Sequence, residues 1–91
     1  MYNILICDDE RDIVNALKIY LHDENYTLFE AFDGMEALKI IQNHDIHLVL
    51  LDIMMPEMDG IEAMVKIRER SNVPIILLKA KSDRNSVVYV K

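Results

Sequence analysis

The stretch VLLDIMMPEMDG, Val49 to Gly60, begins like the inside of a protein and then sets down a carboxylate at Asp52. A proline follows at Pro56, and the stretch closes on Asp59–Gly60, a turn dipeptide. Asp52 is therefore either a reactive group or a strand terminator, and the segments around it decide which.

Before this stretch, NILIC (Asn3–Cys7) is a short apolar run of strand formers. In DIVNALKIYLHD, the residues Ile13, Val14, Leu17, Tyr20 and Leu21 recur at helical spacing and are expected to face inward. YTLFEAF reads as a second strand. DGMEALKIIQNH reads as a second helix, with Leu38 and Ile41 inward. HLVLLD is a continuous apolar strand of the kind covered on both faces in a parallel sheet. GIEAMVKIRER gives a third helix, inward near Ile61, Met64 and Ile67, and VPIILL a fourth strand. No repeat, low-complexity segment or linker interrupts the order. The pattern β-α-β-α-β-α-β predicts an α/β fold: a doubly wound parallel sheet with right-handed helical crossovers.

The chain has 91 residues, which suits one domain, and is 52% hydrophobic and 29% charged, a composition that folds. Its net charge of −6 argues against direct nucleic-acid binding, which needs clustered Lys and Arg. Cys7 is the single cysteine, so no internal disulfide forms, and a reducing, cytoplasmic setting is expected. Its side chain is expected to pack as a small hydrophobe. No apolar run approaches the roughly 18 residues that span a bilayer, and no export signal is visible at the N-terminus.

In an open parallel sheet, ligands sit beyond the carboxyl ends of the strands. After strand one come Asp8, Asp9 and Glu10; after strand three comes Asp52. With strand one central, these two strands are neighbours and their acids converge on one mouth. Asp33 and Asp59 are a different case. Each precedes a glycine and has a glutamate three positions on, Glu36 and Glu62, which is the spacing of a helix-capping box. Asp8 or Asp9 would suffice to cap helix one, but a cap does not need an adjacent pair. Asp52 lies too early to cap helix three. Three strand-end carboxylates in one mouth repel unless a cation joins them. Hard oxygen ligands favour Mg²⁺, and a carboxylate beside such an ion is placed to attack phosphorus and form an acyl phosphate. On this reading Asp52 is the nucleophile, while Asp8 and Asp9 collect the metal.

These residues resemble the receiver domain of two-component response regulators. ILICDDE is similar to that family's strand-one acidic pair, LVLLDIMMPEMDG to its phosphoacceptor segment, and PIILLKAKS to its fourth strand and the loop beyond. The likeness runs from about Tyr2 to Ser82 and is closest to receivers that precede a DNA-binding domain. It implies a flavodoxin-like fold with Asp52 as phosphoacceptor and a histidine kinase as donor. It also implies Asp9 as a direct Mg²⁺ ligand, Asp8 as one acting mainly through water, and Met54 as a ligand through its backbone carbonyl. Pro56 and Gly60 are expected to shape the loop, the one by its fixed φ and the other by its freedom in φ.

Two departures from the pattern stand out. The family carries Thr or Ser at the end of strand four; this chain has Lys79. Its ammonium either reaches the acidic mouth, weakening Mg²⁺ binding and the hydroxyl-based switch, or lies solvated at the strand end. The second departure is the ending. Family members continue through a fourth helix, a fifth strand with an active-site lysine before proline, and a fifth helix. Residues 1–91 are therefore expected to form a single incomplete receiver domain. Too few residues separate SVVYVK from strand four for a parallel crossover of a dozen or more residues. The segment is expected to return as an antiparallel hairpin or to pair with another subunit, with Lys91 a weak candidate for the active-site lysine. An uncovered sheet face and edge would favour a homodimer, with or without exchanged elements.

Other features carry less. His44 and His47 have no further ligand at transition-metal spacing, and His22 reads as a surface residue. Arg68, Glu69 and Arg70 read as a solvated helix end, and Met54, Met55 and Met58 as packing or an adaptable contact surface. Three function classes follow. They are a phosphorylatable receiver controlling transcription through an effector domain outside this sequence, a degenerate receiver serving only as an interaction module, and an aspartate-nucleophile phosphatase. The last needs a second aspartate two positions after the first, where this chain has Met54, so an enzyme is not expected.

Overall fold

A computed structural model describes residues 1–78 and the backbone strand at 88–90. The elements run β1 (Tyr2–Cys7), α1 (Arg11–Tyr20), β2 (Tyr26–Ala31), α2 (Gly34–Asn43), β3 (Leu48–Asp52), α3 (Gly60–Arg68), β4 (Ile75–Leu78) and β5 (Val88–Val90). The sheet order is β2-β1-β3-β4-β5. The first four strands are parallel, as the alternating pattern requires, and β1 lies between β2 and β3. β5 pairs antiparallel with β4, Leu78 opposite Val88. Of the two expectations for SVVYVK, the antiparallel return is the one found. Lys79 and Lys91 lie outside the described residues.

Period-two alternation divides the strands between two cores. Leu5, Cys7, Val49, Leu51, Ile75 and Leu77 face one side and pack with Ala37 of α2 and with Ala63 and Ile67 of α3. Ile4, Ile6 and Leu50 face the other and pack with Val14 of α1. Leu5, Ile6, Leu51, Ile67 and Ile75 are fully buried. Each contributes about 1.5–3 kcal/mol relative to exposure, so the central strands carry much of the stability. The α1 side is the more thinly covered: Leu48 and Ile76 are only half-buried there.

Helix periodicity located the faces but not every inward residue. Val14 is buried and Leu17 and Leu21 half-buried, whereas Tyr20 closes α1 at 87% exposure. Tyr20 lies about 240° round the helix from Val14, off the inward stripe to which Leu21 returns. In α3 the inward positions are Ala63 and Ile67 with Met64 alongside; Ile61 is exposed. α3 ends at Arg68, two residues before the expected limit. Arg68 is half-buried, and its Nη1 donates to the Ser71 carbonyl at 3.2 Å.

At the N-terminal edge of the sheet, Asn3 and His47 clasp β1 to the segment entering β3. The Asn3 N–H donates to His47 Nδ1 at 2.9 Å, and the His47 N–H donates to the Asn3 carbonyl at 2.8 Å. Asn3 Nδ2 donates to the Asp45 carbonyl at 2.9 Å. These bonds help set the β1–β3 register, which in turn levels the two strand ends at the opposite edge.

Candidate functional site

That register pairs Cys7 with Leu51. One step further along each strand, Asp8 and Asp52 come level. Asp8 is 1% exposed and Asp52 fully buried, the two buried charged residues among the described ones, while Asp9 is exposed. Asp8, Asp9 and Asp52 each offer a ligand oxygen, and these oxygens lie within 4.8 Å of one another. Among the described residues this is the one group of three or more metal-ligating side chains at such spacing.

Backbone amides hold two of the carboxylates. Asp8 Oδ1 accepts from the Glu10 N–H at 2.9 Å, a turn at the entry to α1 rather than a helix cap. Glu10 takes the N-cap position of α1 without a side-chain cap bond. Asp52 Oδ1 accepts from the Met54 N–H at 3.1 Å. Met54 is 59% exposed and meets the site through its backbone N–H. The Arg11 guanidinium lies 4.3 Å from the Phe32 ring centroid, a cation–π contact between the start of α1 and the segment after β2.

The loop after Asp52 is pinned from both sides. The Ile53 N–H donates to the Leu78 carbonyl, and the Gly60 N–H donates to the Ile53 carbonyl, both at 2.9 Å. A Cβ on Gly60 would collide with the Asp52 carbonyl oxygen and stand 2.7 Å from Ile53 Cα. Gly60 is thus required for close approach, not for a positive φ. The positive φ in this loop falls on Glu57, at 66°. That corrects the expected role of Gly60, whose freedom in φ is not used.

Asp33 and Asp59 act as the capping spacing foretold. Asp33 accepts from the Glu36 N–H and Asp59 from the Glu62 N–H, each at 2.8 Å. Glu36 Oε1 reaches back to the Phe32 N–H at 2.7 Å, one residue before the N-cap. The histidines take separate partners. The His44 ring packs against Phe29 at 4.5 Å, and His47 is bound to Asn3 and set edge-on to Tyr2. His22 is exposed just beyond α1.

Cys7 is fully buried beside the site, its Sγ 3.7 Å from Met55 Sδ. Burial, reinforced by the charges of Asp33, Asp8, Asp52 and Glu36, pushes its thiol up to about 12. It is a packing residue and not a nucleophile, as expected.

The donor set fits Mg²⁺. An octahedral ion with bonds of about 2.0–2.1 Å spaces its ligands up to roughly 4.2 Å apart. The 4.8 Å limit on the three carboxylates is close to that, and exposed Asp9 has room to close the difference. Three hard oxygens, two of them out of solvent, suit such a cation and no soft one.

The arrangement of Asp8, Asp9 and Asp52 has counterparts in known proteins. The family model of the response regulator receiver domain matches residues 4–90. The transcriptional regulatory protein SrrA of Staphylococcus aureus is 44% identical over 85 residues, covering 93% of this chain and 35% of its own length. This chain thus spans about a third of that relative. Among solved structures, the response regulator protein TrrA of Thermotoga maritima, in complex with Mg²⁺-BeF, has a TM-score of 0.82 at 42% identity. It covers 90% of this chain and 72% of its own. The N-terminal domain of a response regulator receiver protein from Methanoculleus marisnigri gives 0.82 at 35% identity, over 93% and 72%. Among the described residues no helix is long and apolar enough to cross a membrane. With the acidic triad at the carboxyl ends of β1 and β3 and the parallel order β2-β1-β3-β4, the chain belongs to the response regulator receiver domain family of two-component signalling, a phosphoacceptor family and not a conventional enzyme.

Proposed function

We propose that Asp52 accepts a phosphoryl group from a histidine kinase in the cytoplasm, with Mg²⁺ held by Asp8, Asp9, Asp52 and the Met54 backbone carbonyl. One observation carries this reading: buried Asp52 ends a strand within 4.8 Å of two further carboxylates. The ion, when bound, offsets the carboxylate repulsion and polarises the phosphoryl oxygens. An Asp52 oxygen then attacks phosphorus. The new O–P bond forms as the P–N bond to the donor imidazole breaks, and that nitrogen keeps the electron pair and takes up a proton. The Met54 N–H on Asp52 Oδ1 orients the carboxylate for attack. The resemblance to SrrA supports an output in transcription through an effector domain outside this sequence.

Incubation with Mg²⁺ and acetyl phosphate, followed by intact mass, tests the proposal. A single phosphoryl adduct that disappears in Asp52→Asn supports it. Bound Mg²⁺ without an adduct overturns it in favour of the interaction module, and repeated turnover of phosphate esters in favour of a phosphatase.

Lys79 favours that second reading, a receiver retained for contacts only. If its ammonium competes with the cation, Mg²⁺ raises the melting temperature of Lys79→Thr more than that of the parent. Equal shifts rule the competition out. The thin cover over Leu48 and Ile76 supports a homodimer, through the sheet edge or by exchange of elements. Monomer in sedimentation at high micromolar concentration overturns that part.

A further inference from the structure

The groove between α2 and α3 runs from the loop after β3 to the far ends of both helices. Its middle holds about 370 Å³, floored by Met35, Leu38 and Met58 and rimmed by Lys39, Lys66 and Arg70. Met35 and Met58 are shared with an adjoining depression of about 270 Å³ toward the loop, where the charged residues are Asp33, Glu57 and Glu62. Gln42 and Arg70 continue it into a third, of about 780 Å³, at the helix C-terminal ends.

Among the described residues, charge distinguishes the middle of this groove. Of the six Lys and Arg among the described residues, three rim the middle depression, in which Glu69 is the single carboxylate. All three cations are exposed, and Met35 is 56% exposed. Methionine packs against irregular apolar surfaces without a fixed shape, which suits a contact made and broken. The groove is acidic toward the loop and net basic in its middle, and at the far end Arg70 stands with Asp45.

We propose that this groove docks a helical segment of a partner protein with an apolar stripe and a carboxylate-rich C-terminal half. The stripe, at spacing i, i+3, i+4, i+7, lies on Met35, Leu38 and Met58. The carboxylates meet Lys39, Lys66 and Arg70. The helix's positive N-terminal end meets Asp33, Glu57 and Glu62, so the macrodipole and the side chains favour one direction of docking. A nucleic-acid strand is excluded by the acidic half, which repels phosphate.

The test uses the full chain with ¹³C-methyl methionines and a helix-forming peptide of about four turns, with a leucine stripe and glutamates in its C-terminal half. A control peptide replaces the glutamates with lysines. Titration with the glutamate peptide shifts the Met35 and Met58 methyls saturably and leaves Met1 and Met54 in place. Lys39→Glu with Lys66→Glu weakens binding about tenfold or more and admits the lysine peptide. Both lysines are exposed, so the reversal leaves the fold intact. The proposal is overturned by no saturation at millimolar peptide, by equal response to both peptides, by parallel shifts at Met1 and Met54, or by duplex DNA producing the same shifts.

Discussion

Gly60 and Asp52 touch through backbone alone: a Cβ at Gly60 would occupy the place of the Asp52 carbonyl oxygen. The first turn of α3 is thereby pressed against the strand end that carries the central carboxylate. Gly60→Ala forces one of two rigid segments to move, and neither is a flexible side chain. The expected loss is about 2 kcal/mol or more in unfolding free energy, read from the urea midpoint. The same variant loses phosphoryl acceptance out of proportion to its stability, because the displaced backbone is that of Asp52. Ordinary acceptance by a destabilised but folded variant would show that the contact serves packing only.

Neutralising Asp52 is expected to stabilise the metal-free protein. Asp52→Asn keeps an oxygen to accept from the Met54 N–H and removes one of three crowded negative charges. A gain on the order of 1 kcal/mol follows, or a rise of about 4–8 °C in melting temperature for a domain of this size. Mg²⁺ raises the melting temperature of the parent by mass action and that of the variant much less. Melts with EDTA and with millimolar Mg²⁺ check both halves; a variant less stable than the parent in EDTA contradicts the first.

Much of this was legible in the sequence because it depends on period and on strand ends. Two apolar periods, one of two residues and one near 3.6, gave four strands, three helices and the parallel order. The rule that ligands lie beyond the strand carboxyl ends singled out Asp8, Asp9 and Asp52 from sixteen acids. What escaped depends on the distance between segments remote in sequence. Asn3 and His47 clasp because the β1–β3 register sets them side by side, and no pattern in either segment announces it. Gly60 suggested a need for φ freedom, whereas the need is for room beside Asp52, and Glu57 takes the positive φ. Tyr20 falls off the inward stripe of α1 that Val14, Leu17 and Leu21 define, so an apolar residue close to the right spacing still faces out. The basic rim of the α2–α3 groove draws on α2, on α3 and on the turn beyond α3, so neither helix alone reveals it.

The two capping aspartates separate cleanly from the metal site. Asp33→Ala and Asp59→Ala each cost about 1 kcal/mol, since each strands a helix-start amide that the carboxylate now accepts from. The asparagine versions cost only a few tenths of a kcal/mol, because the amide oxygen also caps. Glu36→Ala adds a further loss at α2 by releasing the Phe32 N–H. None of these variants changes the stabilisation by Mg²⁺, which is the reading that distinguishes a cap from a ligand. A reduced Mg²⁺ response in Asp59→Ala would place that residue in the metal site instead.

Alkaline pH offers a direct reading of the buried thiol. Burial raises Cys7 from 9.0 to about 12, so the folded state holds the proton that the unfolded chain releases. Its contribution is complete below pH 9 and is lost as pH climbs toward 12, with an upper bound of about 4 kcal/mol. Cys7→Ala leaves a small cavity and is the less stable protein near neutral pH, by about 1–2 kcal/mol. Between about pH 8 and pH 10.5 the gap is expected to narrow and then reverse, because only the parent pays for its thiol. Other titrating groups are common to both proteins and cancel in the difference. Melts of the pair in EDTA across this range decide the matter; parallel curves would mean that the unfolding parent gains nothing by ionising Cys7. In the same range thiol alkylation of folded parent stays slow and tracks unfolding, since the fully buried sulfur meets reagent only when the strand opens.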